Sequence, residues 1–299
     1  MISCIVTVSE WNEVKMRANE RHCDRIEPFE FCDKRIRAHQ GSCHVKSTFS
    51  LSFPRAILTT TASMQDIVVD LSHTLNATTR VFPGDPVFSS CPHLTLSADG
   101  VNVQHISMGS HTGTHIDAPF HFIASGKTVD ELPLDLLIGP TVVVDLTRTA
   151  RGKDLQEREI IQWNSIAPYE QRIKQYIKAS SSVIVLLRTG WSAYWDSKKY
   201  VDHPYLSAEA AQQLIDIGVR VIGIDAFSPD QTLVDPQAGS DATFEAHNII
   251  LGAGGIIAEN LTNLDLIQDG DWTVSLTPLK LEGSDGSPVR ACAWRKGQR

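Results

Sequence analysis

No stretch of this chain approaches the eighteen or more consecutive apolar residues that a membrane-spanning helix needs, so no membrane partner is expected. Positive charge is in short supply as well. Lys and Arg number 27 against 35 Asp and Glu, a net charge of −8, which makes nucleic acid and anionic lipid surfaces poor partners. Cysteine is scarce where a framework would need it. Of six, Cys4, Cys23, Cys32 and Cys43 crowd the N-terminus and only Cys91 and Cys292 lie further on, which argues for a reducing, cytoplasmic compartment. Several catalytic signatures are missing too: there is no GxSxG of a serine esterase, no HExxH of a zinc peptidase, no GxGxxG and no phosphate-binding Lys-Ser/Thr loop.

What remains is an ordinary globular composition, 42% hydrophobic and 21% charged, long enough to bury a core without disulfides. Charge marks a boundary within it. Residues 1–63 carry nine Lys and Arg against seven Asp and Glu, so the rest of the chain bears about −10. We read 1–63 as an irregular, poorly structured N-terminal extension and 64–299 as one folded domain. His22, Cys23, Cys32, His39, Cys43 and His44 lack the close Cys-x₂₋₄-Cys pair of a zinc finger. The hydroxyl-rich, acid-free stretch Ser47–Ser63 has the flavour of a mitochondrial presequence, although it lies far from residue 1 and follows Glu10, Glu13 and Glu20. Mitochondrial targeting by the extension therefore stays open beside the cytoplasmic reading.

From residue 66 the pattern is that of an α/β domain. Ile67–Leu71, Val103–Met108, Thr141–Leu146, Val183–Leu187 and Val219–Ile224 read as strands, the last three apolar on both faces. Phe82-Pro83-Gly84-Asp85-Pro86 reads as a turn, and Asp130–Pro133 as a short helical turn. Leu155–Lys178 is expected to be helical with an interruption at Pro168. Leu206–Ile217 is a helix capped by Ser207 and Gly218.

The densest chemistry lies in His111-Thr-Gly-Thr-His-Ile-Asp-Ala-Pro-Phe-His-Phe122, which puts three histidines and an aspartate into eleven residues. Imidazole and carboxylate are ligands that Zn²⁺, Mn²⁺ and Fe²⁺ share. His111, His115, Asp117 and His121 occupy odd positions and would project to one side of an extended chain. A helix is disfavoured by Gly113 and Pro119. A straight strand would hold His111 and His115 roughly 13 Å apart at about 3.3 Å per residue, too far for one ion, so the chain should bend at Gly113. Further on, His247 and Glu259 flank Gly252-Ala253-Gly254-Gly255; alone they are a weak signal, and Glu259-Asn260 could equally cap a helix. The glycines suit close backbone passage beside a packed site.

His111–Phe122 resembles the HxGTHxDxPxHF signature of the cyclase family of metal-dependent hydrolases, which includes bacterial-type kynurenine formamidase and isatin hydrolase. Val81–Pro86, Arg188-Thr189-Gly190-Trp191, Gly223–Asp230 and the His247 to Glu259 pair followed by Asn260-Leu261 support the likeness, which runs from about Asp66 to the end. The resemblance implies a swivelling β/β/α domain, assembled as a homodimer or larger homo-oligomer, with a mononuclear or dinuclear divalent centre of zinc or manganese. His111, His115 and Asp117 would hold the first ion. A bridging Asp117 with His121 and Glu259 would hold a second, and His247 would move protons. The Arg148–Ser182 region and the Gln231–Asp241 loop look longer than in compact kynurenine formamidases.

An ion of this ligand type lowers the pKa of bound water from about 15.7 to about 7. The resulting hydroxide attacks a carbonyl, and an acid must protonate the leaving group. The catalytic candidates are His247, Glu259 and His121, and the metal candidates His111, His115, Asp117, His121 and Glu259. The expected reaction is hydrolysis of an amide or ester bond in a small aromatic or cyclic molecule, with N-formylkynurenine leading. Ring opening of a cyclic amide or lactone such as isatin, or a secondary-metabolism cyclase, is the alternative within enzymes. A catalytically silent metal- or ligand-binding protein is the alternative outside them. Phe82, Trp191, Tyr194, Trp195 and Phe227 are candidates for an aromatic wall or for ordinary packing.

Overall fold

The computed structural model describes residues 67–148, 154–180, 182–232 and 243–295. The extension read at 1–63 and most of the Gln231–Asp241 loop lie outside the described residues. In chain order the first strands are β1 (Ile67–Asp70), β2 (Ser89–Leu94), β3 (Val103–Ser107), β4 (His115–Asp117) and β5 (Ile138–Asp145). There follow β6 (Ile160–Ile161), β7 (Ile184–Arg188), β8 (Tyr205–Leu206), β9 (Val221–Ile224) and β10 (Ile256–Glu259). β11 (Thr273–Ser275), β12 (Gly286–Pro288) and β13 (Cys292–Arg295) complete the set. The helices are α1 (Leu96–Asp99), α2 (Leu134–Leu137), α3 (Trp163–Ile166), α4 (Glu170–Ala179), α5 (Ala208–Asp216) and α6 (Glu245–Gly252).

Nine strands form one mixed sheet in the order β1-β13-β11-β5-β7-β9-β10-β4-β12. Its centre, β5-β7-β9-β10, is parallel, and each crossover carries a helix: α4, α5 and α6 in turn. The continuous apolar runs of these strands follow from burial on two faces. Val142, Val144, Val185, Leu187, Ile222 and Ile224 pack under the helices with Ile173, Leu214 and Ile250. The alternate residues Val143, Ile184, Leu186 and Val221 face a second core, closed by Leu71, Ile116, Val274 and Ala293 from the antiparallel flanks. The flanking strands therefore curl over one face while helices cover the other, the layered α/β domain that the family resemblance implied.

Ser207 caps α5 by accepting a hydrogen bond from the Ala210 N–H at 3.1 Å, and Gly218 leaves that helix at φ +103°. The expected helix over Leu155–Lys178 is corrected. Arg158 turns at φ +54°, its guanidinium held on Asp202, and Ile160–Ile161 becomes β6, paired in parallel with β8. Pro168, which has no N–H to donate, sits in a 3₁₀ turn between α3 and α4. No helix among the described residues is long and apolar enough to cross a membrane.

Candidate active site

Gly113 adopts φ +68°, and a Cβ there would lie 2.3 Å from Leu75 Cδ2, so the expected bend falls on the one residue able to make it. Beyond it β4 runs antiparallel to both β10 and β12, pairing His115 with Glu259 and Asp117 with Gly286. That register brings a carboxylate 144 positions away in sequence beside the histidine motif. His115 and Asp117 share one face, while Ile116 points into the second core. The period-two arrangement stops there. Pro119 opens a 3₁₀ turn, Pro119–His121, so His121 reaches the site from a turn and not from an extended chain.

Five side chains meet at the centre. His115 Nε2 is 3.2 Å from Asp117 Oδ1 and 3.3 Å from Glu259 Oε2. His247 Nε2 is 3.5 Å from Asp117 Oδ2 and 3.4 Å from Glu259 Oε1. His111 Nδ1 lies 2.7 Å from Asp117 Oδ1. His121 stands to one side, its ring 3.9 Å from that of His111 and 6.0 Å from that of His247. Ligand atoms of His111, His115 and Asp117 lie within 4.8 Å of one another, as do those of Asp117, His247 and Glu259, and those of His111, His121 and Asp285. His247 thus faces Asp117 and Glu259 where the resemblance had set His121.

The outer nitrogen of each imidazole is engaged, which decides what the inner one can do. His115 Nδ1 donates to the Gly113 carbonyl at 2.8 Å, leaving Nε2 to the centre. His247 Nδ1 donates to Asp230 Oδ2 at 2.7 Å, and the same carboxylate receives the Ala246 and His247 backbone N–H groups at the start of α6. His111 Nε2 and His121 Nδ1 both lie on Asp285 Oδ2, at 3.0 and 3.3 Å. Asn260 ties the assembly together: its Nδ2 donates to Gly113 O, its carbonyl accepts from Thr114 Oγ1, and its Oδ1 accepts from Tyr200 OH. Asp230 lies inside the Gly223–Asp230 motif, but nothing in its spacing marks it as the partner of a residue 17 positions on. Asp285, in a Gly-Ser-Asp-Gly loop, carries no sequence signal of this role.

Charge explains the protonation of the cluster. Burial opposes a charged His111, but its hydrogen bonds to Asp117 and Asp285 outweigh burial and hold it up at about 9. His115, likewise buried, is raised to about 10 by Asp117 and Glu259, and His247 is raised by Asp117, Asp230 and Glu259. Asp117 and Glu259 are lowered in return, burial being overcome by the imidazoles around them. His121 goes the other way: burial pushes it down, with His111 and His247 adding repulsion. Protons on three histidines are compensating two buried carboxylates. A divalent cation would serve the same end, and it fits the donor set, since His115 Nε2, Asp117 Oδ2 and Glu259 Oε1 are buried without hydrogen-bond partners.

The cluster forms the floor of a cleft of about 610 Å³ whose apolar wall is Phe82, Phe122, Phe227 and Phe244. Phe82 and Phe227 stack at 6.1 Å, and Phe244 packs on Phe122 at 5.4 Å from a left-handed backbone, φ +42°. Of the five aromatic candidates, Phe82 and Phe227 line the cleft; Trp191 and Trp195 lie in the helix-side core and Tyr194 packs against it. Phe122 and Phe244 were not singled out as wall residues. The Arg188–Trp191 motif serves the scaffold instead. The buried Asp225 carboxylate accepts from the Thr189 N–H and hydroxyl and from the Gly190 N–H, with its pKa pushed up to about 6 by burial. Gly255 allows close passage, as a Cβ there would meet the Ile250 and Arg220 carbonyls at 2.8 and 3.1 Å.

Comparison with known proteins bears directly on this geometry. The Cyclase family profile matches residues 69–231. The chain belongs to the Cyclase family. Kynurenine formamidase of Bacillus cytotoxicus is 37% identical over 225 residues, 75% of this chain and 95% of that one. Isatin hydrolase A from Labrenzia aggregata, solved bound to benzyl benzoate, superposes with a TM-score of 0.65 at 27% identity, covering 78% of this chain and 94% of that one. A structure titled a potential metal-dependent hydrolase with cyclase activity gives a TM-score of 0.58 at 26% identity, over 79% and 100%. Family and fold both agree with the resemblance carried by His111–Phe122.

Proposed function

We propose that this Cyclase-family chain is a metal-dependent hydrolase that cleaves the formyl amide of an aromatic substrate, N-formylkynurenine first among them, giving formate and an aryl amine. The observation that carries the reading is the buried set of unpartnered His115, Asp117 and Glu259 atoms at the floor of a phenylalanine-walled cleft. In this reading His111, His115 and Asp117 hold a zinc or manganese ion. Asp117, Glu259 and either His121 or His247 would hold a second ion where one binds, leaving the other histidine to move protons. When bound, the ion supplies Lewis-acid chemistry, acidifying water and polarising a carbonyl oxygen.

The chain's own groups do the rest. Asp230 fixes the His247 tautomer so that Nε2 faces the floor, where it takes a proton from the attacking water and returns one to the departing amine nitrogen. His121, its Nδ1 held by Asp285 and its pKa lowered by burial, is neutral at pH 7 and is the second proton carrier. Where Glu259 holds the ion, His247 carries the proton. The phenylalanine wall stacks a planar ring and keeps bulk water from the reacting carbonyl. A cytoplasmic homo-oligomer completes the reading.

Ring opening of a cyclic amide is the second reading, favoured by the likeness to isatin hydrolase A. Turnover of N-formylkynurenine and of isatin by protein of measured metal content separates the two. We expect N-formylkynurenine to be the better substrate by at least tenfold in kcat/KM. Faster isatin opening would select the second reading. Absence of bound metal, with no turnover of either substrate after Zn²⁺ or Mn²⁺ is supplied, would leave only a silent binding protein.

A further inference from the structure

Among the described residues, Asp85 is the one carboxylate lining the cleft that lies outside the histidine cluster. The turn that carries it is stiff: Gly84 takes φ +102°, Pro83 and Pro86 restrict the chain on either side, and the Asp85 N–H closes onto the Phe82 carbonyl at 2.9 Å. Phe82 is fixed in turn by its stack on Phe227, so the turn is anchored to the aromatic wall. The Asp85 side chain is half-buried and lines the cleft, yet among the described residues it accepts no hydrogen bond and meets no Lys, Arg or His within 4 Å. Among the described residues no Lys or Arg lines the cleft. Its other titratable groups face one another: Glu259 lies 3.3 and 3.4 Å from His115 and His247, and the four histidines, His111, His115, His121 and His247, lie beside Asp117, Asp230 and Asp285. Asp85 is left with an uncompensated negative charge beside an apolar wall, an arrangement that favours a cation on an aromatic molecule.

We propose that Asp85 is a specificity-determining residue that pairs with a primary ammonium group carried by an aryl substrate, as on the amino-acid arm of N-formylkynurenine. The proposal rests on the formamidase reading of the same cleft, and it sharpens that reading by excluding anionic substrates that lack an amine. A neutral cyclic amide such as isatin gains nothing from this contact.

The test is binding, so that it does not depend on turnover. Dissociation constants of metal-replete protein are measured by calorimetry at pH 7 for kynurenine and for its desamino analogue, which has hydrogen in place of the α-ammonium. Wild type should bind kynurenine about tenfold more tightly. Asp85→Asn should abolish that preference by weakening kynurenine without weakening the desamino analogue, whose carboxylate Asp85 repels, and Asp85→Lys should reverse it. Three results overturn the proposal: no preference in wild type, a preference retained in Asp85→Asn, or an equal weakening of both ligands by that substitution. Failure to hydrolyse N-formylkynurenine would count against the formamidase reading alone, because the binding comparison stands without it.

Discussion

Asp285 shows how much a single unsignalled residue can control. One of its oxygens receives both His111 and His121, and its own backbone carbonyl accepts the Ala118 N–H at 2.8 Å, so the carboxylate is held against the histidine motif from two sides. Removing its charge frees both rings. We expect Asp285→Asn to weaken metal binding by 10- to 100-fold, the range found when an outer partner of a ligand histidine is lost, with the fold intact by circular dichroism. Unchanged metal affinity would mean that His111 is oriented by Asp117 alone. His247 contrasts with this. In the role assigned here, His247→Ala keeps the first ion and loses rate by 10²- to 10⁴-fold, the usual contribution of a positioned proton carrier. Loss of metal in that variant, by elemental analysis, would move His247 into the ligand shell. His111, His115 and Asp117 were legible because ligands packed into one short motif leave a compositional trace. Asp230 and Asp285 were not, because a partner's role is set by where the fold brings it, and single aspartates are common in loops.

Among the elements, β4 does much with few residues. Three positions long, it takes its partners from β10 on one side and β12 on the other, and the pairing of His115 with Glu259 follows from that register. A slip of one residue would send His115 and Asp117 into the apolar core and Ile116 into the site. Gly286 guards this arrangement, since a Cβ there would meet His111 Cε1 at 2.6 Å and the Ile116 carbonyl at 2.9 Å. Gly286→Ala should therefore displace His111, lowering metal retention while costing about 1–3 kcal/mol of stability in urea unfolding. Full metal occupancy in that variant would contradict the tight fit of His111 against β12. The central strands were readable from continuous apolar runs, and α5 from its caps. The β6–β8 pairing was not, because two isoleucines inside a polar stretch match a helix face as well as a strand.

For the molecule as a whole, the cluster couples metal, proton and stability. His111 and His115 have raised pKa values, about 9 and about 10, in the metal-free protein. Their protonated forms stabilise that protein fully below the unfolded value of about 6.5, and the contribution fades as pH rises through 9 to 10. Metal binding requires those nitrogens without their protons, so acid favours the metal-free form. The gap in Tm between metal-loaded and chelator-treated protein should widen from pH 6 to pH 9, as read by scanning calorimetry. At a free metal concentration of 100 Kd the stabilisation is about 2.7 kcal/mol, several degrees for a domain of this size. A gap that narrows with rising pH would contradict the proton–metal exchange.

The central claim, that Asp117 and its histidines form a divalent centre for amide hydrolysis, is tested most directly by one substitution. Asp117→Asn preserves shape and removes the charge that His111, His115 and His247 face. Metal content by mass spectrometry and hydrolysis of N-formylkynurenine are read on the same preparations. We expect wild type to carry at least one divalent ion per chain, and the variant to lose metal and activity together. A variant that keeps both would contradict the account.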